Sequence, residues 1–449
     1  MRRLGRFRPI LMGLSLFFVA GLITMGLVLP AWADPPYQNG FDFPTPTSNP
    51  MNIDQVVVQR VGGHHEVITY DGQTYDGFTI GETIALSDYP NGATFTIQIE
   101  SQSDIRGVTL FVDYPHGSGT RAIAQPTDND LEWQAVLYDR PGQPPWQEFD
   151  FHWSINDVDG NFIETAEQHF IYNDPTREWL KAETPLLRLY WFGYPEEFGQ
   201  IAMEGMYAVR ERHEIGFRGG LSYVPIAVLY ADVESFAEFR SGGTDAAARL
   251  AGFTSNDLGM TVQRFIERGN ASSCPIRAAA QDQTVEWLYN MTVSTITHEI
   301  THLYQHDFHV NGPTWFTEGG ATWFSLDPER GRQEGLRDRA SDVDLPTLQG
   351  TGPGYRIDRA PNGCNALAYW MGTSFYNFMY GTYGLAAIGQ WHELLSNNLR
   401  MDDALVQVTG KTLAELERDW RIYLGLAPDP YVRPTEPYAF PPTVTPFGQ

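Results

Sequence analysis

The chain has 449 residues, 42% of them hydrophobic and 13% aromatic, so it is long enough for two or three domains and too apolar for a disordered chain. Thirty Lys and Arg stand against 55 Asp and Glu, a formal charge of −25. That balance argues against a nucleic-acid partner or an anionic membrane surface, both of which need basic patches, and it reads as solubility.

At the N-terminus Arg2, Arg3, Arg6 and Arg8 precede an apolar stretch from Ile10 to Leu29, and Ala31-Trp32-Ala33 offers a small-x-small cleavage site before Asp34. Residues 1–33 read as a signal peptide. An apolar run of about twenty residues also suits an uncleaved membrane anchor, and arginines on its N-terminal side place the bulk of the chain outside in either case. A secreted or cell-surface location is expected. Residues 34–50 are a Pro-rich linker without apolar periodicity.

Between 51 and 175, short β-rich runs alternate with Gly, Pro, Asn and Asp: Val56 to Gln59, Thr94 to Glu100, Gly107 to Asp113, Leu131 to Tyr138, Glu148 to Ile155 and Gln168 to Tyr172. This spacing predicts an all-β, immunoglobulin-like sandwich, on architecture alone, because no Cys-Trp-Cys pattern is present. The Asp157-Val158-Asp159-Gly160-Asn161 stretch lacks the glutamate that would close a calcium loop and is expected to be a hairpin turn.

From 176 to 426 the pattern changes. Leu186 to Phe192 and Val224 to Tyr230 read as buried strands, and Phe198 to Glu214 and Val233 to Phe239 as helices, which predicts a small mixed sheet flanked by helices. Helices are expected over 366–382, 385–397, 402–408 and 412–424, so the fold class is multidomain, with the β-sandwich followed by an α+β domain whose C-terminal half is helical. The Pro-rich segment 427–449 is expected to be disordered.

The chemistry centres on His298-Glu299-Ile300-Thr301-His302. Two histidines four apart on a helix point the same way and can grip one zinc ion, while Glu299 can take the proton of a water that the metal activates. Apolar residues on both sides of the histidines (Ile296, Ile300 and Leu303; Met291 and Thr295) mark a buried helix, and a buried Glu299 needs a partner or a metal. A third histidine after a glycine turn is not available, since Gln305 and Phe308 occupy the required places and His309 comes one residue late. His306 drifts around the helix and is expected at the surface or behind the ligands. Glu318, which follows the Asn311-Gly312-Pro313 turn, is the best third ligand, and Gly319 and Gly320 would let its helix pack closely. One Zn2+ per chain is therefore expected on His298, His302 and Glu318. Cys274 and Cys364, the only cysteines, are expected to form one disulfide in an exported chain.

These motifs resemble the peptidase MA-like, gluzincin-type zinc metallopeptidases, in which His-Glu-x-x-His is followed by Pro-x-Trp-hydrophobic-x-Glu-Gly-x-Ala. Here the second segment reads Pro313-Thr314-Trp315-Phe316-Thr317-Glu318-Gly319-Gly320-Ala321, and weaker similarity continues through Ala368-Tyr369, Tyr383-Gly384 and Gly410 to Trp420. The resemblance spans roughly residues 185–425 and departs from the family at an insertion near 240–273 and at Trp370-Met371. It implies an endopeptidase acting on a protein or peptide, with Glu299 as general base and Tyr369 as donor to the oxyanion. Tyr376 is the fallback donor. The motif leaves open a non-peptide amide or ester substrate, or an inactive relative that binds a partner through its β-sandwich. Oligomeric state is not legible.

Overall fold

The computed structural model describes residues 56–138, 143–238, 243–247, 251–265, 285–326, 345, 347–349 and 366–429. The expected signal segment, the linker, Cys274, Cys364 and the last twenty residues of the Pro-rich segment lie outside these. No helix among the described residues is long and apolar enough to cross a membrane.

The N-terminal region is all β. One antiparallel sheet runs in the order β2 (Val67–Tyr70), β4 (Phe78–Ser87), β5 (Ala93–Ser101), β9 (Glu132–Leu137), β8 (Gln125–Pro126), with β3 (Gln73–Tyr75) also on β4. The second runs β11 (Phe162–Glu164), β10 (Gln147–Asp157), β6 (Ile105–Asp113), β7 (Thr120–Ile123), with β12 (Gln168–Tyr172) also on β10. Period-two alternation gives the longer strands one buried face. On β10, Phe149, Phe151, Trp153 and Ile155 are buried and the residues between them are not. Phe95 of β5 meets Phe151 and Phe170 edge-on at 4.9 and 5.0 Å, closing the core between the sheets. Asp157 to Asn161 is a plain turn, in which the Asp157 carboxylate accepts from the backbone and side-chain amides of Asn161.

A six-stranded mixed sheet follows, in the order β1 (Val58–Gly62), β13 (Glu178–Thr184), β14 (Leu187–Trp191), β15 (Ile226–Tyr230), β17 (Met260–Arg264), β16 (Gly252–Ser255). Strands β14, β15 and β17 are parallel, and β16 returns antiparallel to β17. β15 is buried along its whole length, as a strand covered on both faces must be. Leu187, Leu189, Trp191, Ala227 and Leu229 face the helices, whereas Tyr190, Ile226, Val228 and Tyr230 join the core of the sandwich.

Three differences from the sequence reading stand out. The first strand, expected at Val56–Gln59 within the sandwich, is β1 and pairs with β13 of the mixed sheet. The long helices flank the mixed sheet on one face; the sandwich covers the other, together with the short helices at Val233–Ala237 and Gly243–Ala247. Trp146 stacks on Tyr190 at 4.5 Å, and the Tyr89 and Tyr230 hydroxyls lie 3.0 Å apart. Within the insertion near 240–273, Gly252–Ser255 and Met260–Arg264 form strands β16 and β17 of the mixed sheet.

Four helices on the far face carry the rest of the argument: α1 (Glu197–Gly216), which crosses from β14 to β15; α4 (Val285–Asp307); α5 (Thr314–Phe324); and α6 (Ala366–Tyr383). Two short helices, α2 (Val233–Ala237) and α3 (Gly243–Ala247), precede β16, and α7 (Leu385–Ser396), α8 (Met401–Thr409) and α9 (Leu413–Tyr423) complete a helical C-terminal half.

Candidate active site

Helix α4 lies between the mixed sheet and the C-terminal helices. Val293, Ile296, Ile300 and Tyr304 are buried in the helical core. On another face, His213 of α1 places Nε2 2.9 Å from Thr301 Oγ1. Burial drives the His213 pKa down to about 3, so it packs as a neutral ring. The helix is thus fixed on its apolar sides; His298 and His302 face α5, and Glu299 faces strand β16.

Helix α5 begins after Pro313, one turn before Glu318. Its close approach to α6 is made by glycines. A Cβ on Gly319 would overlap the backbone of Gly372, and one on Gly372 would overlap the Trp315 carbonyl. Thr373 Oγ1 donates to Gly319 O at 3.3 Å, and Trp323 Nε1 donates to Asn377 Oδ1 at 2.5 Å. The expected role of both glycines in close packing is visible here, since a Cβ on Gly320 would meet the Tyr376 hydroxyl at 2.9 Å.

The two helices bring His298, His302 and Glu318 together, with one ligand atom from each within 4.8 Å of the others. Glu318 Oε2 is 3.3 Å from both His298 Nε2 and His302 Nε2, yet all three atoms are buried without a hydrogen-bond partner. Three buried polar atoms turned toward one point without a well-formed hydrogen bond are costly unless something binds them. Zinc bonds of ~2.0–2.1 Å at tetrahedral angles set neighbouring ligands roughly 3.3 Å apart, and two imidazoles with one carboxylate are a zinc donor set. The residues fit the ion.

The remaining ring nitrogens are held from behind. Gln305 Nε2 donates to Thr317 O at 2.8 Å, which leaves its Oε1 to face His302 Nδ1 at 2.7 Å. An amide oxygen only accepts, so Nδ1 carries the proton and Nε2 is left for a metal. His298 Nδ1 lies 3.3 Å from Thr322 Oγ1, one turn beyond Glu318. Without an ion, burial opposes a charge on His302, but Glu318 outweighs it and raises the pKa to about 9. Burial likewise opposes the Glu318 carboxylate, and the two histidines hold its pKa far below the usual range.

Glu299 is 1% exposed, and its Oε2 accepts from Thr254 Oγ1 at 2.8 Å. Tyr369, at the start of α6, lies with its ring nearly parallel to that of His298, centroids 5.9 Å apart. Burial raises the Tyr369 pKa well above 10, reinforced by the charges of Glu318 and Glu299 and by a hydrogen bond to Glu318. It stays a neutral O–H donor. Tyr376 is committed elsewhere: its hydroxyl lies 2.9 Å from Nε2 of His392, a buried neutral histidine. His306 is exposed at the end of α4. Sequence reading missed Thr254, Gln305 and Thr322. Gln305 and Thr322 sit one turn from a ligand, a spacing that could have suggested them; no local signal marks Thr254.

No family model matches the chain, and no curated protein does. Solved structures with a similar chain course include the M1 zinc metallopeptidase from Deinococcus radiodurans, 11% identical over 77% of this chain and 90% of that one, at a TM-score of 0.31. An aminopeptidase N family protein from Idiomarina loihiensis is 11% identical over 83% of this chain and 72% of that one, at 0.29. A bromine derivative of BhCBM56 is 14% identical over 23% of this chain and 99% of that one, at 0.18. Likeness at this level carries no argument; the geometry of the site does.

Proposed function

We propose that the chain is an exported zinc-dependent endopeptidase. The observation that carries this reading is the convergence of three buried ligand atoms, none in a well-formed hydrogen bond, beside Glu299, a buried carboxylate on the helix that carries the two histidines. Zinc held by His298, His302 and Glu318 would supply a Lewis acid that polarises a carbonyl and lowers the pKa of a water. Glu299 is the acceptor for that water's proton and returns it to the leaving amine. Tyr369, kept protonated by burial and by two neighbouring carboxylates, donates its O–H to the oxyanion that develops on the carbonyl.

Edge strand β16 supports a peptide substrate. It is the outermost strand of its sheet among the described residues, and Thr254 on it touches Glu299. An extended segment added to that edge would run past the base, the arrangement used when proteins capture a chain as an extra strand. Alignment along a strand edge favours cleavage within a chain. Export rests on the arginine-led apolar stretch of residues 1–33. An immunoglobulin-like assignment of the sandwich is supported by strand order: β4-β5-β9-β8 against β7-β6-β10-β12 matches the ABED and CFG sheets of that architecture, with β7 added.

Metal analysis of the purified protein, followed by a casein digest with and without a chelator, tests the function. One zinc per chain and a chelator-sensitive digest are expected. A zinc-loaded protein that leaves casein and unstructured peptides intact would overturn the reading.

A further inference from the structure

Among the described residues, the Glu299 carboxylate accepts a side-chain hydrogen bond from one residue, and that residue lies outside the motif, on the edge strand. Thr254 Oγ1 is 2.8 Å from Glu299 Oε2 and 3.0 Å from the Glu299 carbonyl oxygen. Both of these oxygens accept only, so the single hydroxyl proton is contested, and the charged carboxylate takes the stronger share. Gly252, two residues earlier on the same face of β16, lets the strand come this close. A Cβ there would sit 3.3 Å from Glu299 Cγ, 3.1 Å from Val262 O and 2.9 Å from Gln263 Cγ. Glu299 is therefore confined along its stem by the strand backbone and at its tip by the threonine.

We propose that Thr254 is a positioning residue for the base. By donating to Oε2 it fixes the plane of the carboxylate and leaves Oε1 to receive the proton of the attacking water. A glutamate side chain is flexible, and in a buried site its misplacement by about 1 Å can cost up to a hundredfold in rate. The hydroxyl removes that freedom. Since Thr254 belongs to the strand on which a substrate would align, one element sets both the substrate's path and the orientation of the base. This inference rests on Glu299 being the base, as proposed above.

Zinc-loaded wild type, Thr254→Val, Thr254→Ser, Glu299→Gln and the Thr254→Val/Glu299→Gln double variant separate the two claims. Thr254→Val should keep its zinc and lower kcat by about tenfold, the loss of one hydrogen bond to a charged group, with KM within about twofold. Thr254→Ser should recover to within about twofold of wild type, because it keeps the donor. In the Glu299→Gln background the valine should cost nothing more, as expected of a residue that acts through the base. An unchanged kcat in Thr254→Val, an equal loss in both backgrounds, or a rise in KM alone would overturn the proposal. If valine is not tolerated by the fold, Thr254→Ala reads the same contact. If wild type cleaves no peptide, the function is misread. The positioning contact is then decided by crystals of Thr254→Val: a displaced Glu299 carboxylate upholds it and an unmoved one overturns it.

Discussion

At the scale of single residues, the site is a buried set of opposed charges, and its pH behaviour follows. In the metal-free protein Glu318 holds the His302 pKa near 9 against burial, raised from 6.5. A metal needs the Nε2 lone pair, so binding at neutral pH must expel a proton. Zinc affinity should fall by about tenfold for each pH unit below that value, and calorimetry in buffers of different ionisation enthalpy should show close to one proton released per zinc at pH 7. No proton release would mean that His302 is neutral in the metal-free protein. The sign for stability is opposite: the raised pKa stabilises the metal-free fold below pH 6.5 and is lost as pH rises toward 9. The His298, His302 and Glu318 set was legible because i, i+4 spacing and a turn-then-helix dictate where side chains point. Thr254 was not, because its contact with Glu299 spans 45 residues and exists only through sheet packing.

At the scale of elements, the position of Glu318 depends on how closely α5 approaches α6. Gly319 and Gly372 meet backbone to backbone, and Gly372 has no room for a Cβ beside the Trp315 carbonyl. Gly372→Ala should therefore force the helices apart, costing ~1–3 kcal/mol as an overpacked contact. It should also weaken zinc binding by shifting Glu318 off the ligand position. A thermal melt and a zinc titration check both, and wild-type values in each would show that the contact is not tight. Helix α9 anchors this layer from the far side: Glu417 Oε2 accepts from Leu348 N at 3.1 Å, and Trp315 Nε1 donates to Leu348 O at 3.2 Å. The helices were readable to within a few residues from their apolar period. Strands β16 and β17 were not, since β16 is four residues long and β17 turns Thr261 and Gln263 inward beneath α4, which breaks the apolar pattern of a buried strand.

At the scale of the whole molecule, the sandwich is part of the framework that carries the candidate site. Trp179, Tyr190, Val228, Tyr230 and Val262 of the mixed sheet share one buried core with Phe95, Phe149 and Trp153 of the sandwich, and β1 closes the opposite edge of the sheet. A fragment starting at residue 176 would expose that face and lose its edge strand. It should fail to fold, whereas the chain from about residue 51 should melt in one calorimetric transition. Two separable transitions would contradict a continuous core. Alternation along single strands revealed the sandwich but not what its neighbours were, because a fully buried strand such as β15 looks the same whatever covers it. The central claim is that this framework presents a zinc site with Glu299 as the base, and the most direct test is turnover by zinc-loaded Glu299→Gln. Glutamine keeps the size and much of the hydrogen bonding but cannot take a proton at neutral pH. Zinc content and melting temperature should stay at wild-type values while kcat on a peptide falls by ~10²–10⁴ with little change in KM. Wild-type turnover by Glu299→Gln would contradict the mechanism.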